Sequence, residues 1–141
     1  MKLLLIILIT LSIATISPSL WQPISARHVL LWQHCPAHLW SAFDSVADEH
    51  LFVMLNLTRV ESGFDSLAVG KQGELGLTQP HPYWHPEILD GDWRNPAFNV
   101  SVGYSIYLDY LSASETIFEA LCRYNGDWSG EYARKVMRYV L

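Results

Sequence analysis

Residues 49–62 are apolar nearly all the way round a helix. Leu51, Met54 and Leu55 mark one face, and Val53, Leu57 and Val60 mark its neighbour. A helix of this kind needs other elements to cover most of its surface, so it has to lie near the centre of whatever the chain folds into. Gly63 is a natural terminator for it. The covering elements read as short helices. Ala37–Ala47 sets Leu39, Trp40 and Phe43 on one side. Asn95-Pro96 starts a helix that carries Val100, Tyr104, Tyr107, Leu108 and Leu111, and Ser112-Ala113-Ser114 breaks it. Ser114 is the expected N-cap of Glu115–Tyr124, with Ile117, Phe118 and Leu121 directed inward. Asn125-Gly126 makes a turn, and Ser129 is the expected cap of a last helix, Glu131–Val140. Gly63 to Gly76 is rich in Gly, Asp, Ser and Gln and reads as a loop. Pro80, Pro82 and Pro86 then forbid a long helix. No stretch alternates convincingly with period two, and no repeat is visible. The expected fold class is mostly α, a small helical domain over residues 37–141 with one long structured loop.

Ahead of that domain, Lys2 precedes an uncharged apolar run over residues 3–16 that stops at Ser17-Pro18-Ser19. A membrane-crossing helix needs about 20 apolar residues, so this run fits an export signal, cut after Ser19 or after Ala26. The alternative is an uncleaved anchor extended by Leu20, Trp21 and Ile24, a membrane tether through residues 3–16. Residues 1–26 are therefore read as signal peptide or N-terminal membrane anchor, and 27–36 as a linker. The rest of the chain is expected to work outside the cytoplasm, where disulfides persist. Cys35 and Cys122 either pair, which would contribute about 4–5 kcal/mol on a chain-entropy argument, or stay apart with Cys122 a buried thiol. Two cysteines exclude a disulfide-dense mini-scaffold and a Cys-rich zinc module. The formal charge of −5 argues against a nucleic-acid partner.

Few residues carry chemistry. Glu61 ends the most apolar helix and precedes Ser62-Gly63-Phe64. A carboxyl set against apolar walls resists ionisation, as a general acid requires, whereas the same residue at a frayed helix end would be an ordinary solvated carboxylate. Asp65 and Glu74 are the loop carboxylates that could serve as a second acid. Trp84, Trp93 and Trp128 lie in loops, where rings either pack or meet sugars. His34/His38 and His81/His85 are spaced four apart, but Pro36 and Pro82 interrupt the pairs and the ligand set is incomplete, so no metal is expected. The sequons at Asn56 and Asn99 fall in helices and are read as chance.

Three segments weigh these readings. Residues 61–79 are E-S-G-F-D-S-L-A-V-G-K-Q-G-E-L-G-L-T-Q, residues 99–108 are N-V-S-V-G-Y-S-I-Y-L, and residues 123–136 are R-Y-N-G-D-W-S-G-E-Y-A-R-K-V. In this order and spacing they resemble the soluble lytic transglycosylase (SLT) family of the lysozyme-like superfamily, over about residues 40–141. The resemblance implies a lysozyme-like (goose-type/SLT) domain whose long loop forms one wall of a glycan cleft. Glu61 matches that family's single catalytic acid and Ser62 the serine beside it. Gly76, Leu77 and Gln79 match a Gly-Leu-x-Gln element whose glutamine faces the glycan. Tyr124 and Asn125 match the Tyr-Asn turn that closes over the acid, and Gly103, Tyr107 and Leu108 match a scaffold helix. The sequence departs from the pattern at Thr78, which replaces Met and would make a cleft wall more polar. It departs also at Pro80-His81-Pro82, at Arg123 and at Asp127.

The resemblance further implies peptidoglycan glycan strands as partner and no cofactor. Glu61 would act as acid and then as base on the bond between N-acetylmuramic acid and N-acetylglucosamine, leaving a 1,6-anhydro end. A hydrolytic muramidase on the same fold and a non-catalytic glycan-binding envelope component are the alternatives. The expected location is periplasmic or cell-envelope, membrane-anchored or virion-associated. There the size suits local opening of the wall for a secretion, pilus or phage injection apparatus.

Overall fold

A computed structural model describes residues 24–138 of the chain. Five α-helices run through that span: α1 (Ala26–His34), α2 (Asp48–Ser62), α3 (Pro96–Ser112), α4 (Ile117–Asn125) and α5 (Glu131–Met137). Short 3-10 segments cover Ala37–Phe43 and Pro86–Leu89. Among the described residues the only β pairing is an isolated bridge between Val69 and Leu75, so the mostly α class holds. No helix among them is long and apolar enough to cross a membrane. The apolar run 3–16 lies outside the described residues, as do the ends of the chain beyond Arg138.

α2 is the hub that its composition requires. Leu51 and Val53 through Thr58 are all buried, with α1 and α5 packed against it. Asp48 and Glu49 in the first turn offset the helix dipole, and Gly63 closes the C-terminus at φ 63°. α3 packs on α4 and on the Ala37–Phe43 segment, and α4 packs on α5. Val100 and Tyr107 from α3, and Leu121 and Cys122 from α4, join the same core. Asn56 and Asn99 are both fully buried, so neither sequon is open to modification.

Several local expectations need correction. Residues 27–36 do not form a linker, because α1 occupies most of that stretch. Ser25 caps it, Leu31 is buried, and Cys35 is buried just beyond it. Arg27 clamps the helix to the domain, donating to Asp48 Oδ1 (2.7 Å), to the Val46 carbonyl (3.0 Å) and to the Phe43 carbonyl. With so few inward residues the helix leaves almost no periodic signal. Thr116, not Ser114, caps α4, accepting from Glu119 N at 3.1 Å. Ser114 instead donates to the Tyr110 carbonyl at 2.7 Å and seals the end of α3. The shift of α4 turns Ile117 and Phe118 outward, each 37% exposed, and buries Ala120, Leu121 and Cys122. Cys35 and Cys122 are both buried free thiols, so the pairing alternative is set aside. The turn before α5 is capped by Asp127 more than by Ser129. The Asp127 carboxylate accepts from Ser129 N and from Tyr132 N, both at 2.9 Å.

The long loop is rigidly held. Gly70 N donates to Glu74 O and Gly76 N to Ala68 O, both at 2.8 Å, folding residues 68–76 back on themselves. Asn99, buried on α3, then fastens the loop to the helix. Its Oδ1 accepts from Thr78 N (2.9 Å), and its Nδ2 donates to the carbonyls of Leu75 (2.9 Å) and Trp93 (3.2 Å). The Thr78 hydroxyl lies 2.8 Å from that same Oδ1. Thr78 is 0% exposed, so it does not make a cleft wall more polar as its substitution for Met implied; it faces Asn99 and α3 instead. Gly103 makes this contact possible, because a Cβ there would stand 2.3 Å from Thr78 Oγ1. Asn99→Ala strands a buried amide and two carbonyls. The expected cost is about 3 kcal/mol, a fall of about 10 °C in the thermal midpoint, with far-UV dichroism at low temperature unchanged.

Candidate active site

Glu61 emerges at the C-terminal end of α2, half-buried, because the helix that carries it is sunk in the core. Ser62 fixes the neighbouring loop to that helix end. Its Oγ sits 2.8 Å from the Leu77 carbonyl and 3.2 Å from the Thr58 carbonyl, and gives its single proton to one of them. The hydroxyl therefore serves backbone, and Ser62 does not line the cleft beside Glu61. That cleft has a volume of about 540 Å³. Loop residues 70–85 form one side, and the end of α4 with Tyr124, Asn125 and Gly126 forms the other. Ile106 and Tyr110 of α3 contribute between them. Glu61, Gln79, Tyr124 and Asn125 thus share one cavity.

Several polar groups around Glu61 have definite partners. Tyr132, on α5 and nearly buried, donates to Glu61 Oε1 at 2.6 Å. Tyr124 OH does not reach the acid; it donates to the Thr78 carbonyl at 2.9 Å and braces the loop against α4. Gln79 sits in the left-handed backbone region at φ 53°. Its Nε2 donates to the Gly76 carbonyl at 2.7 Å and lies 3.3 Å from that of Ala68, so its Oε1 is the end available to a ligand. Gly70 leaves room for this arrangement, since a Cβ there would stand 2.7 Å from Gln79 Oε1 and 2.1 Å from Glu74 Oε2. Glu74 lines the same cleft, with Oε2 accepting from Gln72 N at 3.0 Å. Asp65 does not: its carboxylate is spent on Leu67 N, 2.9 Å away.

The electrostatics follow from burial. Desolvation pushes the Glu61 carboxyl up to about 7; the Tyr132 hydrogen bond opposes the rise and the charge of Glu74 adds to it. Burial, and then the Glu61 charge, drive the Tyr132 and Tyr124 phenols far above their ordinary range, so both remain donors at any working pH. A carboxyl half-protonated near neutrality can give a proton and take one back.

Tyr132, the hydrogen-bond partner of Glu61, is the site residue that the sequence motifs did not bring forward. It sits in the quoted 123–136 segment, but nothing local distinguishes it from a packing tyrosine. Asp127 was the available signal. An acid just past the Tyr-Asn turn caps Tyr132 N, orienting the start of α5 toward Glu61. Of the loop tryptophans, Trp84 lines the cleft, Trp93 packs in a small cluster with Ile88, and Trp128 lies under Arg123. Arg123, in turn, is tied to Glu119 at 2.8 Å. His81 and His85 line the cleft, the first bonded to the Gln72 carbonyl and the second 3.3 Å from Glu87. Among the described residues no three metal-type side chains converge.

No family model, no curated protein and no solved structure matches this chain.

Two measurements check the site. In carbon-detected titration the Glu61 carboxyl is expected to have its midpoint near 7, and in Tyr132→Phe the midpoint is expected to move up, because the bond that favours the carboxylate is gone. Stability is linked to the same proton. The folded value lies above the unfolded one, so the contribution is intact below about pH 4.5 and is lost as pH rises through about 7. Glu61→Gln is therefore expected to raise the thermal midpoint at pH 8 and to leave it nearly unchanged at pH 4.5, as scanning calorimetry would record.

Proposed function

We propose that this chain is an exported peptidoglycan lytic transglycosylase with a lysozyme-like fold. The observation that carries the proposal is one half-buried carboxyl, poised near neutrality, in a cleft that also holds Gln79, Tyr124 and Asn125. Together with the three sequence segments quoted above, it supports a glycan-cleaving role. Binding energy along the cleft would be converted into orientation of the sugar.

The chemistry needs no second carboxylate. Protonated Glu61 gives its proton to the glycosidic oxygen as the bond from C1 of N-acetylmuramic acid breaks. The acetamido carbonyl oxygen of the same sugar closes on C1 and takes up the positive charge. Gln79 Oε1 is suited to accept from the acetamido N–H and so align it. The Glu61 carboxylate then takes the proton of the C6 hydroxyl while O6 attacks C1 and displaces the acetamido oxygen. The product carries a 1,6-anhydro ring, no water is consumed, and Glu61 ends protonated for the next turnover. Tyr132 holds one carboxyl oxygen throughout and steadies the ionised state at mid-reaction.

One observation favours a second reading. Glu74 faces the same cleft and its charge is felt at Glu61, an arrangement in which a carboxylate could activate water. The reaction would then be hydrolysis by a muramidase, and the new end would be reducing.

Mass spectrometry of fragments released from purified peptidoglycan separates the readings. The transglycosylase predicts anhydro ends, with release reduced at least a thousand-fold in Glu61→Gln, an order-of-magnitude expectation for losing an acid–base group. Reducing ends would establish the muramidase instead. Equal biological activity of wild type and Glu61→Gln would leave a non-catalytic glycan-binding component.

A further inference from the structure

At the rim of the cleft, the loop presents a further surface. Residues 81–85 form one tight turn, with Trp84 N and His85 N both donating to the His81 carbonyl, at 3.0 and 2.9 Å. The His81 ring locks that turn in place. Its Nδ1 accepts from Tyr83 N at 3.1 Å, which puts the ring proton on Nε2, and Nε2 donates to the Gln72 carbonyl at 2.9 Å. Leu75 N, donating to the Pro80 carbonyl at 3.2 Å, ties the start of the turn to the same part of the loop. Flanking prolines at 80 and 82 narrow the backbone further.

This rigid turn holds two large rings in water. Tyr83 is 75% exposed and Trp84 71% exposed. Their rings meet edge to face, with centroids 4.6 Å apart at 88°, so each fixes the orientation of the other. Neither is sequestered in the core, so both leave apolar area in water that a ligand could cover. Trp84 also lines the cleft that holds Glu61, so the exposed pair is continuous with it. A flat apolar face with a polar edge matches the C–H face of a pyranose ring, whose hydroxyls point outward to water.

We propose that Tyr83 and Trp84 form a sugar-stacking subsite that takes one N-acetylated pyranose ring of the glycan strand at the rim of the Glu61 cleft. The proposal rests on the glycan-cleaving reading above and extends it. His81 is the positioning residue of this platform and acts by holding the turn.

The test uses the full chain carrying Glu61→Gln, so that no ligand is consumed, and calorimetric titration with chitin oligosaccharides of two and six units. Trp84→Ala is expected to weaken binding of the six-unit ligand about ten-fold and to change that of the two-unit ligand less than two-fold. Trp84→Phe should recover part of the loss, and Tyr83→Ala should give an intermediate one. Both side chains are exposed, so the thermal midpoint should not move. The subsite is overturned if the six-unit affinity is unchanged by Trp84→Ala, or if the two ligands weaken equally. It is equally overturned if the substitution instead abolishes binding to phosphatidylglycerol vesicles or self-association in sedimentation. Failure of the enzyme reading is separate: an active wild type with Trp84-independent binding sinks the subsite alone, and an inactive wild type with Trp84-dependent binding sinks the catalytic proposal alone.

Discussion

The burial of one carboxyl beside one phenol governs the site. Glu61 is carried into a partly dry position by a helix sunk in the core, and desolvation is the largest influence raising its proton affinity. The Tyr132 hydrogen bond pulls in the other direction, and the balance falls where both protonation states are populated near pH 7. α5 reaches this position because Asp127 caps its first turn and because Gly130 adopts φ 76°, a backbone state that costs other residues more. A side chain would also collide there, since a Cβ on Gly130 would stand 2.6 Å from the Phe118 ring.

The opposite wall of the cleft depends on a different kind of force. Beyond the burial of Leu77 and Ile88, polar bonds to α3 hold the loop in place. Asn99 supplies most of them, with both ends of its amide engaged and no water access. Buried and satisfied, such a group specifies a geometry more sharply than apolar contact does. Tyr124 completes the frame by crossing from α4 to the Thr78 carbonyl. The two walls are thus joined by a bond from α4 to the loop.

Much of this was legible in the residues. α2 with its stop at Gly63, and α3 with its start at Asn95-Pro96, follow directly from apolar spacing and these end signals, since burial on a 3.6-residue period leaves a strong trace. Glu61, Gln79, Tyr124 and Asn125 do meet in one cavity. α1 escaped because it buries little and is held by Arg27 bonds to backbone carbonyls, which no pattern of apolar residues records. The start of α4 was misplaced because Ser114 and Thr116 are both good caps, and their tertiary setting decides between them. Tyr132 and the inward turn of Thr78 were hidden for a related reason: each is defined by a partner more than twenty positions away.

The turn between α4 and α5 has a mechanical side. Tyr124 and Asn125 stand at one end of it and Tyr132 at the other, while Asp127 stitches the two ends together. Six residues therefore separate the phenol that bonds the acid from a wall of the groove. A strand that pushed the wall aside on entry would tug on the phenol as well, so that the proton affinity of Glu61 and the width of the groove would change together.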